Sequence, residues 1–223
     1  MHVPTTILLI RHAETALPDV FHGYESDIDL GARGYAQAEA LAPAIAARNP
    51  DAIICSGMRR ARRTAEAISR ATRLPLRIEP ALHERKVGSL QGTPVMGEFG
   101  VWPETLKRWM AGDTGYAPEG TESFDDMARR VLPVWDRLAA EYAGKTAAIV
   151  AHGIVIRVIL LSVLEGYNVA DWPKLGRIQN VSVSEVAGGG RRWKAAGVGE
   201  VPEDVRRLND TPQVRLPEAS QPA

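Results

Sequence analysis

The stretch Thr146–Leu164, "TAAIVAHGIVIRVILLSVL", decides how the rest of the chain is read. Thr146 to Ala151 is a short, continuously apolar run of strand length, and Ile154 to Leu164 is a very apolar helix that follows almost at once. A strand that runs directly into a helix, with both apolar throughout, belongs in the interior of a parallel sheet covered on both faces. The pattern recurs upstream. Thr6 to Ile10 reads as a buried strand, Gly31 to Ala47 as an Ala-rich helix that Pro43 is positioned to kink or divide, and Ala52 to Cys55 as a second strand. Ser56 is placed to cap a helix running to about Arg70, and Leu76 to Glu79 is a further strand. Ser123 to Tyr142 reads as a long amphipathic helix despite Pro133. "VSVSEV", Val181 to Val186, alternates instead, and "RRWKAA" after a glycine run is its hairpin partner, which implies an antiparallel edge. The fold class is therefore α/β: a three-layer α/β/α sandwich with a mainly parallel central sheet and an antiparallel edge.

Bulk properties narrow the function. In 223 residues, 27 Lys and Arg balance 27 Asp and Glu, so no overall field favours nucleic acid or an anionic membrane. The single cysteine, Cys55, forms no internal disulfide and reads as a small buried residue, which fits a reducing compartment. The opening "MHVPTTILLIRHAET" lacks a leader-like apolar stretch, and no run reaches the ~20 apolar residues of a membrane helix. The expectation is a cytoplasmic protein with a small-molecule substrate and neither nucleic-acid nor membrane partners. Residues 1–197 read as one catalytic domain, with a lid or substrate wall at about 93–122. Residues 198–223, rich in proline and charge, read as a flexible C-terminal tail.

Ligands of such sheets bind beyond the carboxyl ends of the strands. Arg11 and His12 follow the first strand, and Ser56 and Arg60 follow the second; Glu84 follows the third, and His152 and Gly153 the fourth. Taken singly, each has a structural reading. His12 or His152 alone is more often a hydrogen-bonded structural histidine. Arg60 lies in "RRARR", which as a run is a solvated helix face with Ala61, Ala65 and Ile68 inward, and Arg59, Arg62 and Arg63 stay with that reading. Glu84 alone is a loop carboxylate or an ion-pair partner of Arg85 or Lys86. Glu14 reads as a local hydrogen-bond acceptor, and Arg157 as a support for the fold or for a neighbour. Together, two guanidiniums, two imidazoles and helix N-termini at one sheet edge make an anion site suited to a phosphoryl group. A neutral histidine among cations is also a competent nucleophile.

"RHAET" (residues 11–15), the pattern S-x-x-x-R-A-x-x-T-A (residues 56–65), "LHERKVGSLQG" (residues 82–92) and "AHGIVIR" (residues 151–157) resemble, in order and spacing, the phosphoglycerate mutase-like branch of the histidine phosphatase superfamily. The resemblance covers residues 6 to about 186 and implies that family's fold. It also implies that His12 carries the phosphoryl group as a phosphohistidine, that Arg11, Arg60 and His152 hold its oxygens with Gly153 beside them, and that Glu84 protonates the leaving alcohol. No cofactor or metal enters this scheme. The chain departs from the family pattern at Ala13, at "SGM" (residues 56–58), and in a loop between Gly23 and Leu30 that is one residue longer than expected. Contacts from that loop are left out of the expected site.

The implied activity is metal-independent hydrolysis of a small phosphomonoester. The alternatives are a phosphoglycerate mutase and a non-catalytic phosphate-binding relative. Val87 replaces the aromatic residue usual in the mutases, and the segment from Gly92 to Glu122 is shorter than their substrate-covering insertion and lacks its paired arginines, for which Lys107 and Arg108 are the available substitutes. Phe99, Trp102, Trp109 and Tyr116 are candidates for contact with a leaving group or for packing beneath the wall. H-x-H, H-E-x-x-H and G-x-S-x-G are absent, which argues against a metallohydrolase or a serine hydrolase elbow.

Overall fold

The computed structural model describes residues 4–94, 100–190 and 192–210. Strands β1 (Thr5–Arg11), β2 (Ala52–Cys55), β3 (Leu76–Ile78), β4 (Thr146–Ala151), β5 (Val183–Gly189) and β6 (Arg192–Glu200) form one sheet in the order β3-β2-β4-β1-β5-β6. The first four pair in parallel, whereas β5 runs antiparallel to β1 and β6 antiparallel to β5. This is the mainly parallel sheet with an antiparallel edge that the apolar runs and the alternating "VSVSEV" imply.

Residues of one strand point alternately to opposite faces, and both faces are covered here. Ile7, Leu9, Ile54, Ala147, Ile149 and Ala151 pack into a cluster with α4 (Phe124–Glu141) and α5 (Gly153–Val163). Leu8, Ile10, Ile53, Cys55, Ala148 and Val150 pack with α1 (Ala32–Ala46) and α2 (Arg59–Thr72). Burial on both sides explains why these strands carry unbroken apolar runs instead of an alternating pattern. The helix α4 starts with a reciprocal capping box, in which Ser123 Oγ accepts from Asp126 N at 3.0 Å and Asp126 accepts from Ser123 N at 3.1 Å. Pro43 and Pro133 sit inside helices that continue through them.

Three expectations need correction. The folded part does not stop at residue 197. The strand β6 runs to Glu200, and a further helix, α6 (Glu203–Asp210), packs on α1 with Val201 and Val205 buried. The short, charged helix looked like tail because only its Val205 face is apolar, and a single turn of apolar spacing is too little to register in a composition window. Residues 211–223 lie outside the described residues. Ser56 does not cap α2; the N-cap is Met58, and Ser56 faces inward instead. Val181 is not in β5 but in the turn before it, at φ 54 and fully buried, a conformation rarely adopted by a β-branched residue. Its backbone N donates to Arg11 O at 3.0 Å, so the strained turn is tied to the end of β1. Among the described residues, no helix is long and apolar enough to cross a membrane.

Candidate active site

Sheet register places the two histidines together. Arg11 at the end of β1 pairs with Ala151 at the end of β4, so the next residue on each strand is a histidine beside the other. His12 N donates to Ala151 O at 3.0 Å, and the two imidazole centroids are 5.1 Å apart. These adjacent strands leave the sheet in opposite directions, β1 toward α1 and β4 toward α5 on the other face, which is the switch point where α/β sheets open a crevice.

His12 Nδ1 lies 2.7 Å from Ala13 O. A carbonyl oxygen only accepts, so Nδ1 carries the proton and Nε2 keeps its lone pair. Burial, with Arg60 and Arg11 adding to it, holds His12 well below the ordinary imidazole range, and the ring is neutral at physiological pH. The loop after His12 is tightly packed: Ala13 N donates to Thr64 Oγ1 at 2.9 Å, and Glu14 N donates to Gln37 Oε1 at 2.8 Å. A Cβ at Gly34, in the first turn of α1, would come within 1.9 Å of Glu14 O, so only glycine lets α1 approach this loop.

Arg60 sits in the first turn of α2 and is completely buried. Its Nη1 donates to Ser26 O at 2.7 Å, and its Nη2 donates to His22 O at 3.1 Å and to Gly23 O at 3.3 Å. Burial pushes its pKa down to about 10, with Glu84 opposing the shift, so the guanidinium stays charged. Arg11 Nη1 donates to Ile178 O at 2.7 Å. The Nε atoms of Arg11 and Arg60 are buried with no hydrogen-bond partner among the described residues, although polar atoms in such places are ordinarily satisfied. By contrast, Arg59, Arg62 and Arg63 are exposed and pair with Asp27, Glu66 and Asp29, as a solvated helix face should.

Glu84 is nearly buried and forms no ion pair with Arg85 or Lys86 through its side chain. Its Oε1 accepts from Arg85 N at 2.8 Å, and its Oε2 accepts from Ile154 N at 3.3 Å, in the first turn of α5. Arg130 on α4 clamps this segment from behind, donating to Ala81 O, His83 O and Glu84 O while pairing with Glu122. Arg11, His12, Arg60, Glu84 and Gly153 all line one cavity of about 340 Å³. Gly153 opens α5 there, and a Cβ on it would lie 3.4 Å from Arg11 Nε. His152 is fully buried next to this lining, with Nε2 at 2.8 Å from Ser56 Oγ. The arrangement can bind an oxyanion between two guanidiniums, present it to a bare imidazole nitrogen, and hold a carboxyl group nearby.

The sequence reading missed several wall residues. His22, Arg157, Arg177, Ile178 and Asn180 also line the cavity, and Asn180 Nδ2 donates to His12 O at 2.9 Å. A signal existed for the last three. Because β5 is antiparallel, its amino end lies at the same sheet edge as the carboxyl ends of its neighbours, so residues just before it face the site. Arg157 donates to Trp172 O at 3.1 Å and to Gly176 O, which anchors the segment carrying Arg177. The omitted loop after Gly23 belongs to the site as well, because its carbonyls hold Arg60, and Glu25 accepts from Val87 N and Gly88 N, each at 3.1 Å.

Of the aromatic candidates among the described residues, only Trp102 lines the cavity. It stands at the start of α3 (Val101–Met110) and packs edge-on to Trp109 and Trp172, with the Arg85 guanidinium over the first two rings at 5.1 and 5.0 Å. Trp109 is entirely in the core, and Tyr116 lies under Arg108 at 3.9 Å. Phe99 lies outside the described residues. Arg108 pairs with Glu104 and Asp113 on the surface and Lys107 is exposed, so neither replaces the mutases' paired arginines over the cavity.

Comparison with known proteins agrees with this geometry. A mycobacterial glucosyl-3-phosphoglycerate phosphatase, Rv2419c, has a solved structure that superposes with a TM-score of 0.77 at 28% identity, covering 88% of this chain and 99% of that one. The glucosyl-3-phosphoglycerate phosphatase of Mycolicibacterium vanbaalenii is 32% identical over 191 residues, 82% of this chain and 84% of its own length. The bifunctional protein Rv2228c of Mycobacterium tuberculosis is 33% identical over 164 residues, and there the chain spans only 45% of the relative's length. The model of the histidine phosphatase superfamily (branch 1) matches residues 7–200, and the chain belongs to that family.

Proposed function

We propose that the protein is a phosphomonoesterase that works through a phosphohistidine on His12. The observation that carries this reading is the pairing of a neutral imidazole, bare at Nε2, with two guanidiniums whose buried Nε atoms have no partner among the described residues, all at one cavity. Positive charge already in place where phosphoryl oxygens gain charge is the largest catalytic lever available to such a site. In the first step His12 Nε2 attacks phosphorus, the bond to the leaving oxygen breaks, and Glu84 gives its proton to that oxygen. In the second, Glu84 as carboxylate takes a proton from water, the water oxygen attacks phosphorus, and the P–N bond breaks to release inorganic phosphate and restore His12. Arg11, Arg60, His152 and the Gly153 end of α5 hold the oxygens throughout. These guanidiniums supply the charge that a metal supplies in other phosphatases.

The substrate is a small phosphorylated metabolite, in keeping with the cavity volume and with the phosphatases of similar sequence. Hydrolysis is favoured over mutase chemistry because the described part of the 93–122 wall brings no pair of cations over the cavity. The test is phosphate release in EDTA across a panel of phosphomonoesters that includes 3-phosphoglycerate, with 2-phosphoglycerate followed in parallel. Phosphate release without added metal is expected. Isomerised phosphoglycerate with little free phosphate would replace this reading with a mutase, and substrate binding without turnover of any panel member would replace it with a phosphate-binding protein.

A further inference from the structure

Ser56 is completely buried, and its hydroxyl forms two hydrogen bonds among the described residues. Met58 N donates to its Oγ at 3.3 Å, and the second partner is His152 Nε2 at 2.8 Å. The hydroxyl has one proton to give, and a backbone N–H cannot receive it, so the one acceptor in reach is Nε2. We infer that Ser56 sets the tautomer of His152: its hydroxyl donates to Nε2 and leaves the ring proton on Nδ1, where it is the donor for a phosphoryl oxygen.

The rest of the site agrees with that assignment. Nδ1 of His152 is buried without a partner among the described residues, as a donor reserved for a ligand would be. His152 is held neutral by burial and by the nearby Arg60, His12, His83 and Arg11, so a choice between tautomers exists. Its neighbour is the same tautomer used from its other nitrogen. The Ala13 carbonyl fixes the proton of His12 on Nδ1 and leaves Nε2 bare, while Ser56 fixes His152 with a protonated Nδ1. One ring thus attacks and the other donates. In the opposite tautomer of His152, a lone pair would face the electron-rich oxygens, and the Ser56 proton would have no acceptor. Ser56 is therefore a positioning residue that acts through His152, much as an outer partner fixes the tautomer of a metal-bound histidine.

The inference rests on the reading that His152 holds a phosphoryl oxygen, but the tautomer itself is read in the resting protein without turnover. In long-range proton–nitrogen spectra of uniformly labelled protein, with His152 assigned by its loss in His152→Asn, Nδ1 is expected to be protonated and Nε2 bare. A protonated Nε2 overturns the inference whatever the activity of the protein. In kinetics, Ser56→Ala is expected to lower kcat about 10- to 100-fold with little change in KM, and Ser56→Thr, which keeps the hydroxyl, to recover most of it. The asparagine of His152→Asn offers an amide donor that needs no tautomer. In that background, Ser56→Ala is expected to cost less than about twofold, as a double-mutant cycle reads it. Persistence of the full Ser56→Ala loss there would mean that the hydroxyl only supports the fold, and would overturn the inference even if the protonated nitrogen were Nδ1.

Discussion

The two ends of the cavity are built differently. The deep end, where the phosphoryl group is proposed to bind, is made of strand ends and helix first turns. His12, Arg60 and His152 are buried there and Arg11 is half-buried, and main-chain carbonyls and Ser56 hold polar atoms of all four. The mouth is made of Trp102 at the start of α3, and of Arg177 and Asn180 on the approach to β5. Arg177 is exposed and has no hydrogen bond or ion pair among the described residues, whereas Arg60 spends three N–H groups on the loop that encloses it. A group that must meet developing charge in one geometry is preorganised by the rigid sheet edge. Selectivity among ligands is ordinarily carried by segments that a rigid scaffold positions.

Changes at the deep end should reduce chemistry, and changes at the mouth should alter selectivity. The largest effect is expected for His12→Ala, which removes the nitrogen proposed to attack. Turnover should fall at least about 10³-fold, with circular dichroism unchanged, and a folded, active variant would break the comparison at its centre. Next, Glu84→Gln should slow alkyl phosphates about 10²-fold and aryl phosphates much less, because a good leaving group needs little protonation. Equal slowing of both classes in steady-state assays would remove Glu84 from the acid role.

Burial of the deep end also predicts a pH effect on stability. His12 and His152 have native pKa values well below 6.5, while in the unfolded chain they return to the ordinary value. Between the two values the unfolded state binds more protons, so stability falls as pH drops below about 6.5, by up to about 1.4 kcal/mol per pH unit for each group. Above that pH these two groups contribute no slope. Denaturant midpoints from pH 8 to pH 5, compared with His12→Asn, measure the share of one ring; an unchanged slope in the variant would show that His12 is not held neutral by its surroundings. The smallest effect is expected at the mouth. Arg177→Gln should raise KM about 3- to 10-fold for substrates with a second anionic group and leave kcat nearly unchanged. A large loss in kcat would mean that the mouth takes part in the chemistry.

Much of the deep end is legible in the residues. Apolar strands followed by Arg11 and His12, by Arg60 in the next helix, and by His152 and Gly153 point to the proposed anion site only in combination, because each of these residues alone has a structural reading. Glu84 was recognisable only through its motif, since a lone carboxylate in a loop carries no periodicity. Ser56 was visible but misassigned. Its place before a helix suggested a cap, and only the packing of β2 against β4 turns it toward His152. Arg177 and Asn180 carry no local signal, and their position follows from the antiparallel direction of β5. The helix α6 was hidden for a similar reason, because its few apolar residues gain meaning only from the face of α1 that they cover.

Local order along the chain is thus enough for the layered α/β architecture, the parallel strands and the chemical character of the site, since hydrophobic period and the residues at strand ends are properties of short segments. Tertiary structure alone decides that β1 and β4 are neighbours in a register that sets His12 beside His152, that the loop after Gly23 folds over Arg60, and which residues wall the mouth. Those contacts join segments tens to more than a hundred residues apart, and their partners are chosen by the burial and closure of the whole sheet, which no short window of sequence contains.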